Sequence, residues 1–224
     1  MEKPFLLHMI TSEKNTSPFD ANMAFDAGWD SIIPYTDVGM DEIQALVQDT
    51  IFSRSPSALK KTGIFIGGRD SHLAMDMIVE AKKHMVPPFE VPVFADPSGA
   101  FTTAAGMVAI TEKALKDKFS ENFSGKKVVI LGGTGPVGVA SAVISAKAGN
   151  DVLLVGRSLE KAETIAGICN DKYGSKSVTG AVDAEKADFL SDADVVFNTG
   201  AAGIQLMDDT LIANARKKAN HNHF

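Results

Sequence analysis

The sequence contains very little cysteine, and this scarcity limits the compartment in which the chain is expected to work. Cys169 is the single cysteine among 224 residues, so no disulfide can form within the chain. It falls in a predicted helix, where a free cysteine is usually buried. We therefore expect a reducing, cytoplasmic environment.

Long apolar runs and a strong positive charge are also absent. The apolar run at residues 5–7 is interrupted by His8, which is not the pattern of a secretory signal peptide. No segment approaches the roughly 20 apolar residues of a transmembrane helix. The formal net charge of −6 argues against general binding to nucleic acid or to an anionic membrane surface. We expect a soluble globular protein without nucleic-acid or membrane partners.

Several common catalytic patterns are missing as well. The histidines lack metal-ligand spacing, so we expect no metal site. They are His8, His72, His84, His221 and His223. The sequence has no Gly-x-Ser-x-Gly motif, which argues against acyl transfer by a serine nucleophile. Neither Tyr35 nor Tyr173 belongs to a Tyr-x-x-x-Lys pair, which many hydride-transfer enzymes use to move a proton. If the chain is a dehydrogenase, the lack of an evident acid or base suits a substrate that loses a hydride without losing a proton.

The first 118 residues alternate short apolar runs with amphipathic segments, which predicts an α/β fold. The expected strands are 5–10, 30–35, 62–66 and 91–95. The expected helices are 18–27 with Ser17 as N-cap, 41–53, one capped by Asp70, and one after Gly99 that continues through Leu115. The polar segment 117–125 then marks a boundary. We predict an α/β substrate domain over residues 1–118.

From residue 119 to 224 the pattern predicts a Rossmann-type parallel sheet. Strands are expected at 127–131 and 151–155, around Val178, and at 193–198, with helices at 135–148, 158–172 and 207–218. A further strand should follow, but the last residues before Phe224 have no strand character. The C-terminal part is therefore expected to be incomplete, either because the chain is a fragment or because its natural end has been replaced.

A glycine-rich loop after the strand 127–131 is the strongest local motif. Gly133, Gly135 and Gly138 occupy the three glycine positions of the dinucleotide-binding pattern. The first permits a tight turn, the second admits a pyrophosphate, and the third allows close helix packing. The expected cofactor-binding residues of this loop are Gly133, Thr134, Gly135, Pro136, Val137 and Gly138. The alternative is a glycine-rich turn without a ligand.

The next strand ends at Arg157 and Ser158, where an NAD-specific site usually has a carboxylate. Both side chains can donate to a 2′-phosphate, so we expect NADP, with NAD as the weaker alternative. Otherwise Arg157 is a surface charge and Ser158 only a helix cap. The loop of Thr199, Gly200 and Ala201 is expected near the nicotinamide ribose, unless it is only a helix-entry turn.

Five blocks of sequence, in order, resemble the NAD(P)-dependent methylene-tetrahydromethanopterin dehydrogenases, and most closely the members dedicated to tetrahydromethanopterin. The blocks are 17–24, 33–36, 48–54, 62–68 and 94–103, within a resemblance from Phe5 to Leu211. It implies hydride transfer from methylene-tetrahydromethanopterin to NADP or NAD, giving methenyl-tetrahydromethanopterin, in the formaldehyde oxidation of methylotrophs. It also implies a homo-oligomer, such as a trimer.

The resemblance further implies a pterin site in the first domain. Its candidate residues are Phe19, Asp20, Asn22, Asp96, Ser98, Thr102 and Thr103. We expect positioning rather than acid–base catalysis, with Asp20 and Asp96 bonding the amino and amide groups of the pterin. Helix capping by Asp96 and surface solvation of Asp20 are the alternatives. The competing functions are a methylene-tetrahydrofolate dehydrogenase and a non-catalytic NADP-binding regulator. Because the sequence ends at Phe224, whether the chain has full activity is left open.

Overall fold

The computed structural model describes residues 3–213, which pack as two compact units divided between Phe101 and Thr102. The sequence placed the change of domain later, between residues 118 and 119. The two positions differ because residues 102–119 continue one helical segment, and Val108 on that segment packs into the core of the second unit.

The first unit is a parallel sheet of four strands in the order β2-β1-β3-β4. These strands are β1 (Leu6–Ile10), β2 (Ser31–Tyr35), β3 (Thr62–Ile66) and β4 (Val93–Ala95). Their helices are α1 (Pro18–Asp26), α2 (Ile43–Phe52), α3 (Pro56–Leu59) and α4 (Ser71–Lys83). The chain leaves β1 towards β2 and leaves β3 towards β4, so the direction of winding reverses between β1 and β3. Ligands of open α/β sheets bind beyond the carboxyl ends of the strands at such a reversal.

Local side-chain chemistry explains where the helices of this unit begin. Ser17 accepts a hydrogen bond from the backbone N–H of Asp20, and Pro18 occupies the first helical position of α1. Asp70 accepts from the N–H groups of His72 and Leu73 at the start of α4. Both predicted caps are confirmed. The short α3 was not predicted.

The main core of the first unit lies on one face of its sheet. Ile10, Ile64 and Ile66 from the strands pack against Ile51 of α2 and Met77 of α4, all nearly inaccessible to solvent. Burying an aliphatic side chain of this size contributes about 1.5–3 kcal/mol relative to leaving it exposed. A smaller cluster on the other face includes Leu7, Met9 and Ala24, with Ala24 supplied by α1.

The second unit is also a four-stranded parallel sheet, in the order β7-β6-β5-β8. Its strands are β5 (Lys127–Leu131), β6 (Asp151–Gly156), β7 (Val178–Val182) and β8 (Val195–Asn198). Its helices are α5 (Ala100–Ala114, continued by a π-helical turn to Phe119), α6 (Pro136–Lys147), α7 (Leu159–Asp171) and α8 (Lys186–Leu190). The winding reverses between β5 and β8. The short α8 was not predicted.

The core of this unit confirms the predicted burial of its single cysteine. Cys169 is fully buried on α7, together with Ile130 and Leu154 from the sheet. Burial raises the pKa of the Cys169 thiol to about 11. Small residues of α6, including Ala142, are also buried and bring that helix close to the strands.

The predicted α/β class is thus confirmed in both units, and β3 and β5 have the predicted bounds. Residues 209–213 are helical, whereas the rest of the expected helix 207–218 and the tail with His221, His223 and Phe224 lie outside the described residues. Within residues 3–213, no helix is long and apolar enough to cross a membrane, and no cluster of three His, Cys, Asp or Glu side chains is arranged to hold a metal ion.

Candidate functional site

The loop from β5 to α6 turns sharply against β6, and Gly133 makes this turn possible. Its backbone N–H donates to the carbonyl of Val155 at 2.9 Å. A Cβ atom at Gly133 would lie 2.8 Å from Cγ of Leu154 and 2.9 Å from the carbonyl oxygen of Ile130. A side chain is therefore excluded here by the strands themselves.

Gly138 allows α6 to lie directly on the same turn. A Cβ atom at Gly138 would lie 2.5 Å from both Cα and the carbonyl oxygen of Gly133. Because these are backbone atoms, they have no other rotamer to adopt. The close helix packing expected of the third glycine is present.

Gly135 differs from both, because the fold itself leaves room for a side chain there. Its backbone has φ −84° and ψ 167°, which any residue adopts, and a Cβ atom would meet only the carbonyl oxygen of Gly132, at 3.5 Å. Gly135 is the N-cap of α6, followed by Pro136 at the first helical position. The N–H groups at the first turn of a helix, with its dipole, attract phosphate. The residues present therefore fit a pyrophosphate at this helix start.

The loops after β5 and β8 touch where the winding of the sheet reverses. A Cβ atom at Gly132, which has φ +70°, would lie 2.9 Å from the backbone N of Gly200. Thr199 donates both its backbone N–H and its hydroxyl to the carbonyl of Leu131, each at 2.9 Å. Thr199 and Gly200 thus lie beside the glycine loop, followed by exposed Ala201. The need for glycine at position 132 was not predicted.

The end of β6 carries the residues expected to bind the ribose. Arg157 is exposed and makes no hydrogen bond or ion pair with any other residue between 3 and 213. Ser158 accepts from the N–H of Lys161 at 3.4 Å, so its capping role is present. Thr134 turns its methyl group towards Gly156, where a Cβ atom would lie only 2.7 Å away. Both Arg157 and Ser158 therefore stand on the surface next to the glycine loop, without a carboxylate among residues 155–158.

The first unit has a cavity of about 400 Å³ at its own point of reversal, beyond the carboxyl ends of β1 and β3. Its lining combines polar and charged side chains with glycine backbone. It consists of Met9, Ile10, Thr11, Glu13, Lys14, Asn15, Thr16, Ser17, Pro18, Phe19, Asp20, Gly67, Gly68, Arg69 and Ser98. Three of the predicted pterin residues, Phe19, Asp20 and Ser98, meet in this cavity.

Asp20 is the electrostatically unusual residue of the cavity. Burial, followed by the nearby charge of Asp96, raises the pKa of the Asp20 carboxyl above its ordinary value. Its Oδ2 atom lies next to Gly67, where a Cβ atom would be 3.2 Å away. Phe19, beside it on α1, is 65% exposed. Perturbed carboxyls in a cleft mark candidate functional sites.

Asp96 and Ser98 shape the loop that closes one side of this cavity. Asp96 is buried and accepts from the backbone N–H of Phe101 at 2.7 Å, which is the capping role considered from the sequence. Ser98 and Gly99 both have positive φ, 54° and 66°. The Ser98 hydroxyl donates to the carbonyl of Gly68 at 3.1 Å and ties the loop after β4 to the loop after β3.

The remaining predicted pterin residues do not line the cavity. Asn22 is exposed on α1, and Thr102 and Thr103 are exposed on α5. The sequence analysis missed other lining residues, among them Lys14 and Arg69. Their position after the predicted strands β1 and β3 was a usable signal, because loops at the carboxyl ends of parallel strands bind ligands.

A glycine loop that fits a phosphate, at the reversal of a parallel sheet and in a chain with a second α/β unit, is the arrangement of two-domain dinucleotide-dependent dehydrogenases. The solved structure of quinate dehydrogenase from Corynebacterium glutamicum in complex with NAD shares this fold. It is 15% identical, with a TM-score of 0.53 over 94% of this chain and 77% of that one.

Sequence comparison is more specific. Residues 18–98 match the family model described as methylene-tetrahydromethanopterin dehydrogenase, N-terminal. The NAD(P)-dependent methylenetetrahydromethanopterin dehydrogenase of Methylorubrum extorquens is 44% identical over 95% of this chain and 72% of its own length. The bifunctional protein MdtA of the same organism is 37% identical over 90% and 69%. The chain belongs to the methylene-tetrahydromethanopterin dehydrogenase family, so it is a nicotinamide-dependent oxidoreductase and the resemblance is confirmed.

Proposed function

We propose that this enzyme transfers a hydride from methylene-tetrahydromethanopterin to NADP, giving methenyl-tetrahydromethanopterin. The structural observation that carries the proposal is the space kept free at Gly135, above the N-terminus of α6. The fold does not need glycine there, whereas a bound pyrophosphate does. The 44% identical relative, named for this reaction, supports the choice of substrate.

The chemistry explains why the chain lacks an evident acid–base pair. The methylene carbon of the substrate lies between two nitrogens, and departure of a hydride leaves a cation that these nitrogens share. No proton has to leave. When bound, the nicotinamide supplies the hydride acceptor. The protein is left with holding and orienting the substrate, which can account for a large part of a rate enhancement.

Asp20 is proposed to hold the pterin head. An ionised carboxylate accepts two N–H donors side by side, which matches the amino and amide groups of a pterin. Phe19 is exposed beside it and offers an aromatic surface. Asp96 and Ser98 fix the adjoining loop through Phe101 and Gly68. Asn22, Thr102 and Thr103 remain proposed substrate residues.

We propose NADP rather than NAD because of the two side chains that follow β6. Arg157 is free of other described partners and exposed, so its guanidinium can form a bidentate pair with a 2′-phosphate. The Ser158 hydroxyl keeps acceptor and donor capacity beyond its capping bond. The rest of the cofactor is assigned to the loop 133–138 and to Thr199, Gly200 and Ala201.

The cellular setting is proposed from the same observations. The substrate belongs to one-carbon metabolism, and formaldehyde oxidation in methylotrophic growth is the process proposed. A single, fully buried cysteine suits the cytoplasm. A homo-oligomer, a trimer by family resemblance, and a reaction without a metal ion complete the proposal.

Formation of NADPH, followed by its absorbance, tests the function. Methylene-tetrahydromethanopterin, methylene-tetrahydrofolate and a blank without pterin are each combined with NADP and with NAD. We expect the highest kcat/KM for methylene-tetrahydromethanopterin with NADP. The Gly135→Val variant serves as the matched control and should be inactive. Absence of turnover with both pterins, although NADP binds, would refute the proposal and favour a regulator; preference for the folate would assign the other substrate.

A further inference from the structure

The cavity of the first unit is built by three loops that are tied to one another. Gly67 donates its backbone N–H to the carbonyl of Ile10, which joins the loops after β3 and β1. Gly68, with φ +120°, presents its carbonyl to the hydroxyl of Ser98 from the loop after β4. These two hydrogen bonds therefore hold the three loops together and fix the backbone from which their side chains project.

Two cationic side chains line this cavity from different loops. Lys14 belongs to the loop after β1, and Arg69 directly follows Gly68 after β3. Both are exposed, and neither forms an ion pair with another residue in the range 3–213, although Glu13 lines the same cavity. Their charges are thus available to a ligand.

The acidic group and the cations of the cavity are not paired with one another. Burial and Asp96 raise the pKa of Asp20. Neither Lys14 nor Arg69 forms an ion pair with Asp20 within residues 3–213. The hydroxyl of Thr16, another lining residue, is inaccessible to solvent and has no hydrogen-bond partner in the described part of the chain. The cavity offers a carboxylate and two cations to a single elongated ligand.

We propose that Lys14 and Arg69 bind an anionic group, a phosphate or a carboxylate, on the tail of the pterin substrate whose head is held by Asp20. This inference rests on the proposed function. An Arg and a Lys on separate loops bind an anion through a bidentate fork and a mobile point charge, respectively. The two residues determine specificity for charged tails and take no part in hydride transfer.

Three forms of the methylene substrate separate the possible anions. They are the intact tetrahydromethanopterin derivative, a form that keeps its tail carboxylates but lacks the phosphate, and a form with an uncharged tail. Lys14→Gln and Arg69→Gln remove one charge each, and Lys82→Gln, at an exposed lysine of α4 outside the cavity, is the control. KM, kcat and the calorimetric Kd for each pterin are measured, together with the Kd for NADP.

We expect each cavity substitution to raise KM and Kd for the intact substrate about tenfold, as for a lost hydrogen bond to a charged group, with kcat and NADP affinity unchanged. The uncharged tail should show less than about a twofold effect, and Lys14→Arg should restore binding. A loss retained without the phosphate identifies the carboxylate, and a loss confined to the intact form identifies the phosphate. Equal losses for the uncharged tail, or none for any tail, would overturn the inference. Failure of the proposed function would give a different result from failure of this inference. In that case the substitutions would still weaken pterin binding, but the wild-type protein would form no NADPH.

Discussion

Gly135 provides a direct test of the dinucleotide site, because the structure separates its role from that of its neighbours. In Gly135→Val the nearest protein atom to the added Cβ, apart from the adjoining residues, is the carbonyl oxygen of Gly132 at 3.5 Å, and the backbone angles need no change. We therefore expect the free energy of unfolding to change by no more than about 1 kcal/mol. The side chain nevertheless occupies the space in which a pyrophosphate would meet the first turn of α6.

The expected loss of NADP affinity follows from the contacts that this side chain displaces. Hydrogen bonds to a charged group contribute about 1.5–3 kcal/mol each. Loss of two such bonds costs about 3–6 kcal/mol, which corresponds to a decrease of at least about a hundredfold in affinity. Calorimetric titration of NADP, with urea unfolding and circular dichroism on the same samples, measures both quantities.

Gly138→Ala is the matched control, because it should disturb the fold instead. Its Cβ would lie 2.5 Å from backbone atoms of Gly133, so α6 must move, at a cost of about 1–3 kcal/mol. Gly135→Val should therefore lose NADP affinity while keeping its stability, whereas Gly138→Ala should lose stability. Retention of NADP affinity within about fivefold by a normally folded Gly135→Val protein would refute the assignment of this loop.

Two further predictions use single side chains of the second unit. Arg157→Ala should weaken NADP binding by about tenfold or more and leave NAD binding nearly unchanged, whereas Lys161→Ala, at an exposed position of α7, should affect neither. Equal losses for both cofactors in a titration would show that Arg157 does not bind the 2′-phosphate. The Cys169 thiol, with its pKa raised to about 11 by burial, should react with a maleimide at pH 8 only as fast as the second unit opens. Rapid labelling of the native protein, matching that in urea, would contradict the burial of this thiol.

The elements that could be predicted from the sequence are those defined by neighbouring residues. β3 and β5 are short apolar runs, each bounded by glycine on its carboxyl side, and both have the predicted bounds. The caps at Ser17 and Asp70 depend on side chains within three residues of the N–H groups they satisfy. α3 and α8 were missed because segments of four and five residues show too little helical periodicity.

The parts of the site that could not be predicted depend on strand order. Besides its positive φ, Gly132 leaves no room for a side chain because β8 lies next to β5 and brings Gly200 against it. Likewise, Asp96 raises the pKa of Asp20 only because the strand order brings the loop after β4 close to α1. Local sequence identifies the chemical groups, whereas the order of strands determines which of them meet. For this reason the sequence predicts the turn and the helix start of the glycine loop, whereas only three of the predicted pterin residues line the cavity.

The role of Asp20 decides whether catalysis in this protein is positioning alone. A general base would also have a raised pKa, so the direction of the pKa shift of Asp20 does not distinguish substrate binding from base catalysis. If the carboxylate binds the pterin head, KM should rise as pH falls through this raised pKa, while the rate of hydride transfer at saturation stays level. Asp20→Asn should then raise KM by about ten- to a hundredfold, the range of a hydrogen bond to a charged group. Asp26→Asn, at an exposed position of the same helix, should change nothing.

The Asp20→Asn protein should also be more stable than the wild type at pH 7, because the folded-state pKa of Asp20 lies above the unfolded one and the ionised form is penalised. That gain in stability should vanish below the unfolded pKa, where Asp20 is protonated in both the folded and the unfolded state.

Single-turnover hydride transfer, measured across pH, decides between the two roles of Asp20. A fall of a hundred- to ten-thousandfold in the saturated rate, with loss of a pH-dependent limb and unchanged pterin affinity, would make Asp20 an acid–base catalyst and the positioning mechanism wrong.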